Sequence, residues 1–174
     1  MTQQYKTYLP SPIGLLEIIG TAQAIAEIRF VSNDGTTSHQ HDAPQADLPQ
    51  VVEQCRTELI EYFAGQRQCF SVALAPHGTP FQQQVWQKLL DIPHGHTSTY
   101  LAISKQINNE KAIRAVGQAN GRNPIGIIIP CHRVVGSDHT LTGYAGGLWR
   151  KKWLLEHEKA DIVMNQQLRL KGLE

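Results

Sequence analysis

A cysteine, a histidine and an arginine stand side by side at positions 131 to 133, directly after the apolar run of NPIGIIIPCHRVVG. A cysteine is a nucleophile only as its thiolate, and an adjacent histidine, arginine or helix terminus lowers the pKa of a thiol. Residues 125 to 129, bracketed by two prolines, predict a short buried strand that leads to Cys131. Adjacent side chains of an extended chain point to opposite sides, so His132 reaches the sulfur only through a backbone turn or a bridging water. These residues alone leave two interpretations open, an active thiol and a buried thiol with incidental neighbours.

The sequence holds three cysteines, Cys55, Cys69 and Cys131, and no CxxC pair. An odd count without such a pair argues against a disulfide framework and against a structural zinc site. Cys55 and Cys69 are interpreted as small apolar side chains that fill space in a helix or strand. His94 and His96 flank a glycine in a turn with no third ligand at metal spacing, so we expect solvated loop histidines and no metal.

The composition is that of a soluble globular chain of 174 residues, of which 41% are hydrophobic and 18% charged. No stretch approaches the roughly 20 apolar residues of a membrane span, and the N-terminus lacks the apolar run of a secretion signal, so we expect a cytoplasmic protein. Residues 1 to 79 hold 4 Lys and Arg against 8 Asp and Glu, a net −4, whereas residues 80 to 174 hold 12 against 7, a net +5. The basic half fits either a nucleic-acid surface or an ordinary solvated one.

Turn residues and hydrophobic periodicity divide the chain into two predicted domains. In the first, Leu15 to Ile19 and Ala24 to Val31 are rich in β-branched residues and predict two strands. A polar loop over 33 to 50 follows, and then VVEQCRTELIEYFAG has apolar residues at helical spacing and ends in a glycine. The turn signal APHGTP marks the boundary. We therefore predict an α/β domain over 1 to 78 and a second domain over 79 to 174.

The second domain begins with a predicted helix in FQQQVWQKLLDI, whose helical period of apolar residues makes Trp86 a packing residue. The segment TSTYLAISKQINNEKAIRAVGQANG divides into a short helix behind a Thr/Ser cap, a turn at Asn108 and Asn109, and a second helix closed by Gly121. Two short helices on a tight turn predict a helix-turn-helix. That shape occurs with and without DNA binding, so by itself it leaves the partner open.

One face of the second helix is predicted to be bare. At 100° per residue, Ile113 and Val116 define the buried direction of the helix, and Arg114 projects about 130° away from that direction. The rest of the surface carries small residues, namely Ala115, Gly117 and Ala119. The backbone of this helix can therefore approach another molecule closely.

Three motifs in a fixed order give the chain a specific resemblance to a known family. They are RAVGQANGRNPI at 114 to 125, PCHRV at 130 to 134 and GYAGGLWRKKWLLEHE at 143 to 158. The run from 79 to about 158 resembles the O6-alkylguanine-DNA alkyltransferases, repair proteins that are each used once, and SPIGLLEI and YFAG resemble the N-terminal domain of that family more weakly. The resemblance implies an α/β N-terminal domain plus a mainly helical C-terminal domain of winged helix-turn-helix type.

The resemblance implies a group of catalytic residues. Cys131 resembles the alkyl acceptor, and His132, acting through a water, and Glu158 resemble the pair that removes the thiol proton. Without the resemblance, Glu158 would be interpreted as a charge on a helix surface. Asn123 resembles the asparagine that braces the turn between the recognition helix and the cysteine strand, whereas an Asn-Pro pair by itself indicates only a turn.

The resemblance also implies a group of residues that bind the base and the DNA. Tyr100 resembles the pocket tyrosine whose hydroxyl meets the guanine and helps to rotate the nucleotide, although by itself it is a tyrosine that begins a helix. Arg114 resembles the finger that fills the space of the extruded base. The carbonyl of Val134 and the backbone N–H of Ala145 resemble further contacts to the base. The bare surface of the second helix, formed by Ala115, Gly117 and Ala119, suits a minor groove.

The implied reaction is the direct, irreversible transfer of an alkyl group from O6-alkylguanine in DNA to Cys131, with O4-alkylthymine left open as a second substrate. The sulfur attacks the alkyl carbon, Tyr100 supplies a proton to O6, and the thioether product does not hydrolyse, so each molecule acts once. The implied partner is double-stranded DNA containing alkylated guanine, bound through its minor groove by a monomer with little sequence preference. Neither a cofactor nor a metal is required.

The sequence departs from the family pattern at three places. Thr99 stands where serine is usual, Asn109 and Glu110 stand where a Gly-x-Pro type turn is usual, and Ala145 stands where some relatives have serine. Asparagine tolerates left-handed conformations, so the predicted turn survives. Two other classes are disfavoured: a non-catalytic lesion-binding relative would lack the acceptor cysteine, and a cysteine hydrolase would need an oxyanion site for which the sequence has no clear signature.

Overall fold

The computed structural model describes residues 3–31, 47–164 and 169–170, and it divides into two units, Met1–Pro76 and His77–Glu174. Most of the loop predicted over 33 to 50 lies outside the described residues.

The first unit is built on a three-stranded antiparallel sheet in the order β1-β2-β3. The strands are β1 (Tyr5–Ser11), β2 (Gly14–Gly20) and β3 (Ile25–Phe30). The two predicted strands correspond to β2 and β3. β1 was not predicted because its sequence, YKTYLPS, mixes polar residues with a proline, which an edge strand tolerates.

One helix, α1 (Gln50–Phe63), packs against this sheet, as the apolar period predicted. Its buried side chains include Val52, Cys55, Leu59 and Tyr62, which lie on one face at helical spacing. Gly65 follows the helix with φ 73°, a left-handed conformation that glycine adopts without steric cost.

Cys55 and Cys69 were both predicted to be buried residues that fill space, and this holds for Cys55 only. Cys55 is buried in α1, but Cys69 is exposed in an irregular segment, so the prediction of a buried filler was wrong there. The segment is held instead by polar contacts, because Arg67 donates to the carbonyl oxygen of Cys69 at 2.8 Å and to Glu61 at 2.7 Å.

Three helices that pack on one another form the first part of the second unit: α2 (Pro80–Leu90), α3 (Tyr100–Gln106) and α4 (Ile113–Gly121). The Thr79 hydroxyl and Gln82 form a reciprocal capping box at the start of α2, and the Thr99 hydroxyl caps α3. Trp86 is buried, and its indole N–H donates to the carbonyl oxygen of Ala119 at 2.8 Å. The prediction that Trp86 is a packing residue is confirmed.

The predicted turn between α3 and α4 is present. Asn108 has φ 57°, and a 3₁₀ turn over Glu110–Ala112 leads into α4. The predicted phase of α4 is wrong in part. Ile113, the first residue of the helix, is 40% exposed, and the buried positions are Val116, Ala119 and Asn120, which share a face at spacings of three and four.

Ala119 is therefore not part of a bare outer surface, as the sequence had suggested. Its side chain is only 2% exposed because it lies on the face of α4 that packs against α2, where its carbonyl meets Trp86. Ala115 is exposed and Gly117 is half-buried, so these two residues keep the outward position that was predicted.

The rest of the second unit consists of short elements. β4 (Ser98–Thr99) pairs in parallel with β5 (Val134–Val135), and β6 (Thr140–Leu141) pairs in parallel with β7 (Arg169–Leu170). α5 (Leu148–His157) and α6 (Asp161–Met164) complete the unit. Their core comprises Val135, Leu141, Leu155, Ala160 and Ile162. Among the helices in the described part of the chain, none has the length and apolar character that crossing a bilayer demands.

The segment from 125 to 129 is buried, as predicted, but it is a series of turns and not a strand. Its backbone groups bond within the segment: the N–H of Ile129 donates to the carbonyl of Ile125 at 3.1 Å, and that of Ile128 to Gly126 at 2.9 Å. Ile127 has φ 73°, a conformation that is costly for a β-branched residue. The chain then enters a 3₁₀ turn over Cys131–Arg133.

Candidate active site and nucleic-acid interface

The sulfur of Cys131 is buried and has a polar side chain as its partner. The residue is only 6% exposed, and the side-chain amide of Asn123 donates to its Sγ at 3.1 Å. The same amide donates to the carbonyl of Ile129 at 2.7 Å and accepts from the N–H of Ile125 at 3.0 Å. Asn120 donates to the carbonyl of Cys131 at 3.3 Å. Asn123 thus fixes both the turn before the cysteine and the sulfur itself.

His132 and Glu158 form a buried pair in the same unit. The Nε2 atom of His132 lies 2.7 Å from Oε1 of Glu158, and both side chains are fully shielded from solvent. Glu158, at the C-terminal end of α5, is therefore not a charge on a helix surface. When Nε2 carries the proton that Glu158 accepts, Nδ1 carries a lone pair, and Nδ1 has no hydrogen-bond partner within the described part of the chain. The ring can therefore accept a proton at Nδ1.

Arg133 belongs to this cluster as well, although the sequence indicated it only as a neighbour that could lower the pKa of the thiol. Its Nε and one terminal nitrogen donate to the two oxygens of Glu158 at 2.8 and 3.0 Å, and the other terminal nitrogen donates to the carbonyl of Ile92 at 2.6 Å. The backbone N–H of Gly95 also donates to Glu158, at 3.4 Å. The sequence places Arg133 next to the histidine but contains no signal that it turns toward a carboxylate 25 residues away.

Burial and charge set the protonation of the cluster. Burial raises the pKa of the Cys131 thiol, whereas the hydrogen bond from Asn123 and the charge of Lys151 act to lower it. Burial lowers the pKa of His132 below 6.5. Burial opposes ionisation of Glu158, but the hydrogen bonds from His132 and Arg133 and the charge of Arg133 outweigh it and hold the pKa of Glu158 well below its ordinary value. The resting site thus combines a neutral imidazole with an ionised carboxylate.

Lys151 is a residue that the sequence analysis missed. It is fully buried in α5, and its ammonium donates to the carbonyl of Thr142 at 2.8 Å. The hydroxyl of Tyr100 donates to the same carbonyl at 3.1 Å. Burial lowers the pKa of Lys151 to about 8. The sequence does contain a signal, because Lys151 stands three and four residues before the buried Leu154 and Leu155 and so shares their face.

A cavity of about 610 Å³ lies between α3, α4 and the loop before α5. Four residues predicted to bind substrate or DNA line it: Tyr100, Arg114, Gly117 and Ala145. The remaining lining residues are Ile113, Gln118, Gly121, Thr142, Gly143 and Tyr144. An added Cβ on Gly117 would lie 3.8 Å from the ring of Tyr100, an ordinary van der Waals contact, so the ring of Tyr100 lies next to α4 at this position.

The cavity is within electrostatic reach of the thiol. Burial raises the pKa of Tyr100 and Tyr144, and an ionised Cys131 would raise both further. Val134, the other predicted base contact, is buried in β5 opposite Ser98. The predicted residues therefore fall into two groups. One belongs to the buried cluster that includes Cys131, and the other lines the open cavity that Arg114 borders. Among the residues that the structure describes, no three His, Cys, Asp or Glu side chains are grouped as metal ligands would be.

Sequence comparisons match both units to models of one family. Residues 4–76 match the ribonuclease-like domain of 6-O-methylguanine DNA methyltransferase, and residues 80–160 match its DNA binding domain. The methylated-DNA--protein-cysteine methyltransferase of Haemophilus influenzae is 47% identical over 94% of this chain and 90% of its own length. The protein of the same name from Mycobacterium tuberculosis (strain H37Rv) is 45% identical over 92% of this chain and 97% of its own length.

Solved structures show the same similarity. The crystal structure of Mycobacterium tuberculosis O6-methylguanine methyltransferase covers 94% of this chain and 99% of its own, with 41% identity and a TM-score of 0.78. A crystal structure of the Mycobacterium tuberculosis protein in complex with DNA covers 88% of this chain and 92% of its own, with 44% identity and a TM-score of 0.78. The two-domain fold, a ribonuclease-like domain followed by a helical DNA-binding domain, is thus that of these relatives. On these matches, the chain belongs to the family of the methylated-DNA--protein-cysteine methyltransferases.

Proposed function

We propose that this protein repairs DNA by moving an alkyl group from O6 of guanine to its own Cys131, irreversibly and once per molecule. The observation that carries the proposal is the buried cluster in a chain of this family: a thiol bonded to Asn123, and a histidine whose Nε2 meets Glu158 while its Nδ1 has no partner among the described residues. O4-alkylthymine, which carries an equivalent alkyl–oxygen bond, is a second candidate substrate.

In the proposed reaction, His132 takes the thiol proton at Nδ1 through a water, and Glu158 stabilises the imidazolium that results. The Cys131 sulfur then attacks the alkyl carbon, and the bond from that carbon to O6 breaks. The electron pair stays on the guanine, which receives a proton from the Tyr100 hydroxyl. Tyr100 now donates to Thr142, so it must change partner to reach the base. The thioether does not hydrolyse, so the protein is consumed.

DNA is proposed to bind across α4, with α3, the turn and α4 acting as a helix-turn-helix of the winged type. The exposed Ala115 and the half-buried Gly117 leave room for a minor groove, and Arg114 borders the cavity. The target nucleotide lies within the stacked duplex, so it has to be flipped out at a cost of a few kcal/mol, and Arg114 fills its place. Ala119 is buried and is not part of this surface.

Inside the cavity, the flipped guanine is proposed to lie between Tyr100 and the loop that holds Ala145. The backbone N–H of Ala145 and the carbonyl of Val134 would then bind its polar edge, a role in which alanine serves as well as serine. This arrangement requires one protein molecule per lesion, and we propose that it acts as a monomer. All three cysteines are free thiols, as is usual in a reducing compartment, which supports a cytoplasmic location.

The test is the intact mass of the protein after incubation with duplex DNA that contains O6-methylguanine. We expect one methyl group per molecule, located on the peptide that holds Cys131, and no turnover beyond one lesion. Cys131→Ser should bind the DNA but gain no mass, because a hydroxyl is a far poorer nucleophile at neutral pH. Cys69→Ser, which removes the exposed thiol, is the matched control and should behave as the wild type. Methylation of Cys69, or sustained turnover, would contradict the proposal.

A further inference from the structure

Arg133 is a buried cation to which the proposed reaction has so far given no role. All three nitrogens of its guanidinium are engaged: two with Glu158, at 2.8 and 3.0 Å, and one with the carbonyl of Ile92, at 2.6 Å. Taking a guanidinium and a carboxylate out of water costs several kcal/mol per ion. A merely space-filling residue at this position would carry no such cost. The ion pair is bonded directly to His132, the proposed general base, so the cost of burying it implies a function.

The hydrogen bonds to Glu158 indicate what this function is. Glu158 Oε1 accepts from both His132 and Arg133, so one oxygen serves the imidazole and the guanidinium together. A lone buried carboxylate at 2.7 Å from the ring would strongly favour the imidazolium and so protonate the base before the reaction. A guanidinium on the same carboxylate offsets that attraction.

We propose, on the basis of the function proposed above, that Arg133 is a positioning residue: its guanidinium holds the Glu158 carboxylate against His132 and offsets its charge, so that His132 stays a neutral base until the thiol ionises. The arrangement also prevents Glu158 from taking the proton itself, because the hydrogen bond from the His132 ring and the two from the cationic Arg133 keep the carboxylate ionised. The proton from Cys131 therefore stops on the imidazole.

The other charged or titratable groups near this pair act in known directions. Glu158 favours the imidazolium of His132, whereas Arg133 and Lys151 disfavour it. The charge of Glu158 raises the pKa of His94, and the charge of Arg133 lowers it. Among the described residues, the titratable and charged groups that interact with His132 or Glu158 include Cys131, Arg133, Lys151, His94 and Tyr144, and the charge of Glu158 raises the pKa of Tyr144.

The experiment measures the single-turnover rate of alkyl transfer from O6-benzylguanine, a free base that needs no flipping, as a function of pH. Arg133→Met removes the charge and keeps most of the length of the side chain. We expect the midpoint of the acid limb of its profile to move to higher pH by about one unit, so that the rate falls about tenfold at pH values below the wild-type midpoint and is nearly unchanged well above the shifted one. Arg133→Lys should keep the wild-type midpoint but lower the plateau several-fold, because an ammonium cannot reproduce the planar fork.

Arg67→Met is the matched control, because it also removes an arginine with several partners, in the first unit, and it should leave the profile unchanged. A uniform loss of rate in Arg133→Met at the wild-type midpoint would overturn the proposal and leave a structural role. So would an Arg133→Lys variant whose midpoint and plateau are both those of the wild type. If the wild type itself transferred nothing to Cys131, the proposed function would fail and not this inference alone.

Arg133→Met leaves a buried carboxylate unpaired and can fail to fold for that reason. The double variant Arg133→Met/Glu158→Gln removes both charges and avoids this cost. Compared with Glu158→Gln alone, it should show a higher midpoint for the titration of the His132 ring by NMR, because a nearby cation has been removed. Equal midpoints in the two variants would show that Arg133 does not act on His132 by charge, and would overturn the proposal.

Discussion

The side-chain amide of Asn123 donates a hydrogen bond to the sulfur of Cys131 at 3.1 Å. Asn123 also bonds to the carbonyl of Ile129 and the N–H of Ile125, so one side chain joins the acceptor to both ends of the turn before it. An asparagine is suited to this role because its amide offers donors and an acceptor together.

Asn123→Ala should therefore destabilise the protein. It removes three hydrogen bonds and leaves buried backbone groups unpaired, for which we expect a loss of about 2 to 4 kcal/mol in the free energy of unfolding. Urea unfolding measures this loss. Gln83→Ala is the control, because it removes a single bond at an exposed site, to the carbonyl of Gly78, and should change stability very little. Equal losses in the two variants would show that the turn does not depend on Asn123.

Glu158→Gln should slow alkyl transfer about a hundredfold, because the imidazolium of His132 loses its ionised partner, while lesion binding stays close to that of the wild type. It should also lower stability, because Arg133 becomes an uncompensated buried charge. Single-turnover kinetics and DNA binding, both measured well below the unfolding temperature, separate these effects. An unchanged rate constant would remove Glu158 from the mechanism.

The pH dependence of stability should carry the signature of Glu158. The pKa of Glu158 in the folded protein lies below its ordinary value of 4.5, so the folded state binds this proton less tightly than the unfolded state does. Its contribution is therefore fully present above about pH 4.5 and is lost as the pH falls below that value. The difference in unfolding free energy between wild type and Glu158→Gln should shrink as the pH is lowered from 5 to about 3. A difference that stays constant would contradict this assignment.

Arg114→Ala should separate base flipping from chemistry. The reaction with free O6-benzylguanine should be nearly unchanged, whereas repair of a duplex should slow by about one to two powers of ten, because the cost of extruding the nucleotide is no longer offset. Arg114→Lys should recover only part of the rate, since it restores the charge but not the planar group. If alanine slowed both reactions equally, Arg114 would belong to the pocket or the fold.

Lys151→Met should lower the rate at which iodoacetamide alkylates Cys131 near neutral pH, by about three- to tenfold, because the charge of Lys151 acts to lower the pKa of the thiol. The pKa of Lys151 is about 8, so the wild type loses this charge as the pH rises, and the two rates should converge above that pH. Lys152→Met, which removes an exposed ion pair with Glu156, is the adjacent control and should react like the wild type. A ratio that does not vary with pH would indicate a structural role for Lys151.

Much of the fold could be predicted because it depends on local patterns. The apolar period gave the helix at Gln50–Phe63, and the hydroxyl of Thr99 indicated where the next helix pair begins. Ile113 was misplaced because a helix's first residue can extend beyond the elements it packs on, which periodicity does not show. The turns at 125–129 were taken for a strand because a short apolar run between prolines suits either structure.

The site was predictable where a residue's chemistry is rare, as for Cys131, and not where it depends on distant partners. Arg133 meets Glu158 only because a 3₁₀ turn and the end of α5 lie together, a relation between residues 25 positions apart. The two lysines in LWRKKW look alike in the sequence, yet Lys151 is fully buried and Lys152 is only half-buried. The face that α5 turns toward the core decides between them.

The 3₁₀ turn at Cys131–Arg133 determines the direction in which each of these three side chains points. In a strand, side chains alternate, so Cys131 and Arg133 would share one face and His132 would face away from both. In a 3₁₀ turn, each residue is rotated by about 120° from the last, which gives three neighbours three directions. Here the first turns to Asn123 while the next two converge on Glu158. Exchanging the histidine and the arginine would keep the composition and net charge of the site. It would, however, place the permanent cation where the imidazole now lies and the imidazole where the guanidinium now lies. The function of this tripeptide therefore depends on the order of its residues as well as on their types.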